Sequence, residues 1–390
     1  MRIILFTGKG GVGKTTLAAA SALLSAKNGY KTLIISTDAA HSLSDSLETQ
    51  ISNQPKQIVS NLFGQEINAL EEIAKKWGDI KKYLTALFAS QGIDEIEAEE
   101  MSVFPGMEEL FSLTQIHNYN KTSDYDVIIV DCAPTGDTLR LLSAPEITNW
   151  YLKHIFPIQR TAAKAIRPVA NRILPFPFPE DKIFEAMQRL TTQLAEMKEI
   201  LSDDKKTSIR LVLNPEKMVI KEAQRAFTFF NLFGYSVDSI IVNRMIPPGV
   251  TDAYFKNWKT IQANYLQIIK ECFSPLPIFT LELLDQEIVG IELLLKIAKK
   301  VYGKKDPTQL FLSKKPIVIE KAKGGFDMFL NLPFVEKKDL DLYRNEEELI
   351  IRVGNYKRNI LLPQTLLNYS IKSAKFEKEK LKISFRQKTI

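Results

Sequence analysis

The sequence predicts an α/β protein with a mostly parallel sheet and a helical insertion, followed by a C-terminal all-β sandwich. Three observations carry that reading. Apolar runs of strand length, such as Ile3-Ile4-Leu5-Phe6 and Leu33-Ile34-Ile35, recur through the first 280 residues and read as strands covered on both faces. A glycine-rich stretch, Thr7-Gly8-Lys9-Gly10-Gly11-Val12-Gly13-Lys14-Thr15-Thr16, joins the first such run to the helix-forming Leu17-Ala18-Ala19-Ala20-Ser21-Ala22-Leu23-Leu24. Beyond residue 315 the period changes to short strands separated by turns.

The pattern G-x-x-x-x-G-K-[ST] spans Gly8 to Thr15 between a strand and a helix, the context that makes it a phosphate loop. Glycine lets the backbone pass close to phosphate with its N–H groups turned inward, and the helix N-terminus adds a favourable dipole. The expected nucleotide contacts are therefore Gly8, Lys9, Gly10, Gly11, Val12, Gly13, Lys14, Thr15 and Thr16. Lys14 is expected to bridge the β- and γ-phosphates of ATP, and Thr15 to offer its hydroxyl to Mg²⁺. Gly8 to Gly13 also has the spacing G-x-G-x-x-G, but the Lys14-Thr15 that follow make the stretch G-x-x-x-x-G-K-T, a phosphate loop, and argue against a dinucleotide-binding oxidoreductase. The fold class is thus that of a P-loop NTPase.

Composition agrees. Hydrophobic residues make up 45% and charged residues 25% of the 390, as in a globular protein of two domains or three. No apolar run reaches the length of a membrane span, and the first residues do not read as a signal peptide. The two cysteines, Cys132 and Cys272, form no C-x-x-C, which fits a reducing compartment and predicts a cytoplasmic protein. The net charge of +6 belongs entirely to the last stretch: residues 315–390 hold 16 Lys and Arg against 10 Asp and Glu. That split places a boundary near residue 314, and it is too mild to predict nucleic-acid binding.

Further along, Lys31–Thr37 reads as a strand running into Asp38, whose acid at a carboxyl end points into the ligand crevice. Asp38 is placed to position or activate the attacking water; a helix N-cap is the plainer alternative. Asp124–Asp131 reads as a strand ending in a Mg²⁺-binding acid, Asp131. Asp238–Arg244 reads as a strand ending near Asn243, whose amide offers both a donor and an acceptor; an Asx turn is the local alternative.

These segments together resemble the ArsA and GET-pathway targeting ATPases over residues 1 to about 303. Gly8-Lys9-Gly10-Gly11-Val12-Gly13-Lys14-Thr15-Thr16 resembles the deviant Walker A loop shared with MinD, ParA and the nitrogenase iron protein. Asp38-Ala39-Ala40-His41-Ser42-Leu43-Ser44-Asp45 resembles switch I, with Ala39 in place of proline. The run from Asp131 to Pro145 resembles switch II, with Asp137 where relatives often have histidine. Phe104-Pro105-Gly106 resembles a further family segment, although a helix-starting turn explains Pro105-Gly106 as well, and the run from Pro215 to Ala226 resembles another.

The resemblance implies a homodimer formed with ATP, in which Lys9 crosses to the partner's nucleotide. It implies catalytic roles for Lys9, Lys14 and Asp38, a Mg²⁺ set of Thr15, Asp38 and Asp131, and adenine contacts at Asn243 and Pro277. It also implies a hydrophobic client or a membrane receptor. The client groove would lie in a helical subdomain of about residues 66–118 and 150–200, although ordinary core explains those apolar residues as well. Residues 304–314 read as a linker, and 315–390 resemble the α-crystallin domain of small heat-shock proteins. The alternatives are the ATPase subunit of an arsenite-type anion pump and a nucleotide-gated client-holding chaperone. Arsenite needs clustered thiolates, which two distant cysteines do not suggest, and the zinc-binding C-x-x-C of the targeting ATPases is missing.

Overall fold

The apolar runs do become strands buried on both faces: Ile3, Ile4, Leu5 and Phe6 are fully inaccessible, as are Leu33, Ile34 and Ile35. In the computed structural model the described residues are 1–37, 42–67, 78–90, 92–94, 97, 107–139, 142–143, 181–345 and 347–387. Asp38 to His41, Pro105-Gly106 and the apolar run 144–180 lie outside them.

Among the described residues, eight strands form the main sheet. They are β1 (Arg2–Thr7), β2 (Thr32–Ser36), β3 (Lys56–Val59), β4 (Leu62–Glu66), β5 (Val127–Asp131), β6 (Thr207–Leu213), β7 (Val237–Met245) and β8 (Ile278–Glu282). Their order is β3-β4-β2-β5-β1-β6-β7-β8, and every neighbouring pair is parallel except β3 with β4. β1 sits between β5 and β6, so the loop that follows it opens at the centre of the sheet's carboxyl edge. The sequence reading begins a helix at residue 66, whereas Glu66 closes β4, a strand held beside β2.

Helix α1 (Lys14–Lys27) is buried along nearly its whole length, and its alanines let it lie close to the sheet. The other helices among the described residues of this part are α2 (Ser42–Leu47), α3 (Gly78–Ala89), α4 (Met107–Thr122), α5 (Asp181–Ser202), α6 (Lys217–Phe233), α7 (Tyr254–Cys272) and α8 (Ile291–Tyr302). α1 packs on α8, and Ser21 shares a 2.8 Å hydrogen bond with the Tyr302 hydroxyl.

A buried ionic cluster closes the opposite, amino edge. The Arg210 guanidinium meets the Asp238 carboxylate at 3.2 Å with both side chains fully inaccessible, and Arg2 reaches the same carboxylate at 3.3 Å. Arg210 also donates to the Tyr302 hydroxyl at 3.1 Å and to the Gln309 carbonyl at 3.2 Å, with the Phe311 ring 4.6 Å away. Residues 304–314, expected as a linker, are therefore strapped to the sheet edge. Tyr30 holds Asp306, Arg2 holds the Thr308 carbonyl, and Ser236 holds the Lys314 carbonyl.

The remaining strands are β9 (Ile317–Ala322), β10 (Gly325–Asn331), β11 (Leu340–Asn345), β12 (Glu348–Val353), β13 (Tyr356–Leu361), β14 (Tyr369–Glu377) and β15 (Lys380–Gln387), with the short helix α9 (Gln364–Leu367). They make two antiparallel sheets, β14-β15-β10-β9 and β11-β12-β13. Met328, Leu330, Leu349, Ile351, Ile383 and Phe385 fill the interior of this sandwich. It docks on α6: Thr228 donates to the Pro333 carbonyl at 2.6 Å, Tyr356 packs edge-on to Phe229, and the Arg358 guanidinium donates to the Leu232 carbonyl.

Candidate nucleotide site

The loop's backbone explains its glycines. A Cβ on Gly8 would stand 2.1 Å from the Val212 carbonyl oxygen, so the loop leaves β1 pressed against the end of β6. Gly13, the N-cap of α1, has φ +92°, and a Cβ there would stand 2.4 Å from the Asn243 amide nitrogen. Gly11 also lies in the left-handed region, at φ +76°. Lys14 opens α1 and is buried; its ammonium lies 3.4 Å from the Lys9 carbonyl oxygen, folded over the loop. Lys9 itself is half-exposed.

The rest of the rim comes from neighbouring strands. Asp131 ends β5 level with Phe6 of β1 and Ser36 of β2, and it is fully buried. Its carbonyl accepts from the Thr37 backbone N–H at 3.0 Å, and the Thr37 hydroxyl accepts from the Ala133 N–H at 3.3 Å. Thr7 donates to the Thr138 hydroxyl at 3.0 Å, and that hydroxyl donates to the Ala133 carbonyl at 2.8 Å. The base of the loop is thereby tied to the segment after Asp131. The Thr15 hydroxyl lies 3.2 Å from that of Ser42, the first residue of α2. Glu66 takes two hydrogen bonds from Ser44, from its N–H at 2.9 Å and its hydroxyl at 2.8 Å, and so anchors α2 to the end of β4.

The structure brings together Gly8 to Thr16, Asp131 and Asn243, and Asp38 lies outside the described residues. Asn243 is engaged locally. Its amide donates to the Val12 carbonyl at 2.8 Å, and its side-chain oxygen accepts from the Arg244 N–H at 2.8 Å. Pro277 is not brought to the loop. It precedes β8, and its carbonyl accepts from the Ile240 N–H at 3.0 Å, at the amino end of that strand pair. Ser42 and Thr138 fall inside the segments that resemble switch I and switch II, but the bonds by which they support the site were not legible there, and Glu66, read as the start of a helix, was missed.

Burial, reinforced by the Asp131 charge, pushes the Cys132 thiol far above its ordinary range. The thiol is fully buried.

A strand, a glycine-rich turn and a helix, with a buried acid on the adjoining strand, define a phosphate-loop nucleotide-binding protein. Two family models match the chain: anion-transporting ATPase over residues 1–303, and the HSP20-like domain found in ArsA over residues 323–385. The chain belongs to the ArsA ATPase family, and it is an ATPase of that type. It is 40% identical, over 98% of its length and 99% of the relative's, to an Aquifex aeolicus protein provisionally named arsenical pump-driving ATPase 1. It is also 40% identical to a Prosthecochloris vibrioformis protein with a similar provisional name, covering 99% of this chain and 96% of that one. ATPase ASNA1 homolog 1 of Paramecium tetraurelia is 29% identical, over 75% of this chain and 89% of its own length.

Proposed function

We propose that this ATPase is a dimeric switch that couples ATP binding and hydrolysis to the capture or delivery of a client, such as a hydrophobic helix. The observation that carries the reading is the pair of lysines on one loop. Lys14 is buried and folded over the loop, whereas Lys9 stands half-exposed at its outer edge. A single nucleotide site is served by Lys14; Lys9 is available to a nucleotide on a second copy. There its charge would offset the charge developing on the transferred phosphoryl group.

The oxygen donors of Thr15 and Asp131 suit Mg²⁺, which binds hard oxygen ligands. The Asp131 carboxylate and the Thr15 hydroxyl would hold the ion, whose charge helps neutralise the phosphates. Lys14 binds and orients the β- and γ-phosphates. Asp38 orients water for attack at the γ-phosphorus; the bond to the β,γ-bridging oxygen breaks, releasing ADP and inorganic phosphate. Thr7 and Thr138 tie the loop to the segment after Asp131, which supports a reading in which phosphate loss is passed to that segment.

The test compares Lys9→Ala with wild type. Hydrolysis should fall by about 10³-fold or more, as loss of a charge-stabilising finger does, and the light-scattering mass should rise to a dimer with a non-hydrolysable ATP analogue but not with ADP. Unchanged hydrolysis in Lys9→Ala removes the trans role. A transmembrane-helix peptide that co-elutes with the ATP form supports the hydrophobic client.

The names of two relatives point instead to driving an arsenical pump. That reading uses the same nucleotide machinery, with the client replaced by a membrane channel. The chain has two cysteines, and Cys132 is fully buried, which argues against capture of arsenite by clustered thiolates. A direct arsenite titration decides it.

A further inference from the structure

One polar group at the site has no role in the binding or hydrolysis described so far. Asn214 follows β6 directly, and β6 lies between β1 and β7 in the sheet. The phosphate loop leaves β1, and Asn243 at the end of β7 bonds to that loop at Val12. The pairing of β6 with β7 runs up to Leu213 beside Val242, so the next residues, Asn214 and Asn243, come up side by side. Asn214 thus sits at the rim where loop and β7 are bridged. Its residue is 7% exposed, and its side-chain oxygen is buried with no hydrogen-bond partner among the described residues. A buried amide oxygen without a partner is costly, and such groups in folded proteins are normally satisfied.

We propose that Asn214 is a nucleoside-contacting residue, whose buried carbonyl oxygen accepts a hydrogen bond from bound ATP. The chemistry limits the donor. Ionised phosphate oxygens only accept, so the triphosphate offers nothing to a carbonyl. The donors that ATP brings are the adenine amino group and the ribose hydroxyls. The proposal rests on ATP being the nucleotide held by the loop.

The experiment titrates wild type and Asn214→Leu with ATP, with inosine triphosphate, with 2′-deoxy- and 3′-deoxy-ATP, and with inorganic triphosphate. Melting of the unliganded proteins is measured alongside. Leucine has nearly the same size and removes the unpartnered oxygen, so the unliganded variant should melt at or above the wild-type temperature. ATP affinity should fall about tenfold, the worth of one hydrogen bond. That loss should vanish for the one analogue that lacks the donor, which identifies the group. Inorganic triphosphate should bind both proteins alike.

Equal ATP affinity in the two proteins overturns the proposal. So does an equal loss for every ligand including triphosphate, since that is a structural effect. If the variant does not fold, the wild-type series decides: equal affinity for ATP and all three analogues overturns the proposal. Failure of wild type to bind ATP at all sinks the ATPase reading instead, so the two failures are distinct.

Discussion

Gly8 and Gly13 show how tightly the loop is specified by single residues. Replacing Gly8 with alanine drives a Cβ into the Val212 carbonyl at 2.1 Å, a backbone atom that cannot swing away. Gly8→Ala should therefore cost at least ~2 kcal/mol and lower nucleotide affinity more than tenfold. Urea denaturation and a fluorescent-nucleotide titration read the two effects. At this scale the loop was legible because the four fixed positions of a short motif, Gly8, Gly13, Lys14 and Thr15, each have a separate physical reason. The engagement of Asn243 was not legible. An amide at a strand end is equally fit to read a base or to hold a neighbouring carbonyl, and only the distance to Val12 shows which partner it has here.

Elements are held by two different devices. In the ATPase part, the Asp238 carboxylate lies between two guanidiniums, and it fastens β1, β6 and β7 together with the strap at 304–314. Asp238→Ala leaves buried cations without their counter-charge and should cost about 3–5 kcal/mol, seen as a lower urea midpoint. In the β-sandwich, the β14–β15 hairpin turns through Lys378 and Glu379, both at positive φ (48° and 60°). That is a glycine or asparagine geometry occupied by neither. Lys378→Gly should raise stability by ~0.5–1 kcal/mol by removing the strain, whereas Glu379 is better left, since its carboxylate accepts from the Phe334 N–H at 3.0 Å. A higher thermal midpoint in Lys378→Gly supports the strain argument, and a lower one refutes it.

The whole molecule is an ATPase with a β-sandwich clamped to α6, and the sandwich has its own acid sensitivity. Hydrogen bonds from Lys382, with Arg386 and Ser384, pull Asp327 down from 3.8 to about 2 against the opposing effect of burial. A depressed folded-state value stabilises above the unfolded one, so the contribution is complete above about pH 4 and is lost as pH falls through 2. Because Lys382 is largely exposed, the effect should stay within about 1 kcal/mol. Asp327→Asn should lower stability by up to about 1 kcal/mol near neutrality and converge with wild type below about pH 2, which flattens the acid limb between pH 4 and 2. A limb as steep as wild type would mean other carboxylates dominate. α6 carries the sandwich and begins three residues beyond Asn214, so the proposed nucleoside contact and the helix that carries the sandwich are joined through one short connection.

By itself the sequence determined the phosphate loop, the alternation of buried strands and helices, the acid at the end of β5, and the change to an all-β tail. Each is a local pattern whose physics acts within about ten residues. Only the tertiary structure decided what depends on neighbours distant in the chain. It set the strand order that puts β1 between β5 and β6. It turned an expected linker into a strap held by Arg2 and Arg210, bound Asn243 to the loop, and left Pro277 at the far end of β8. Hydrogen bonds and buried charges between residues 28 to 306 positions apart leave no periodic trace in sequence, because either partner alone is an ordinary polar residue.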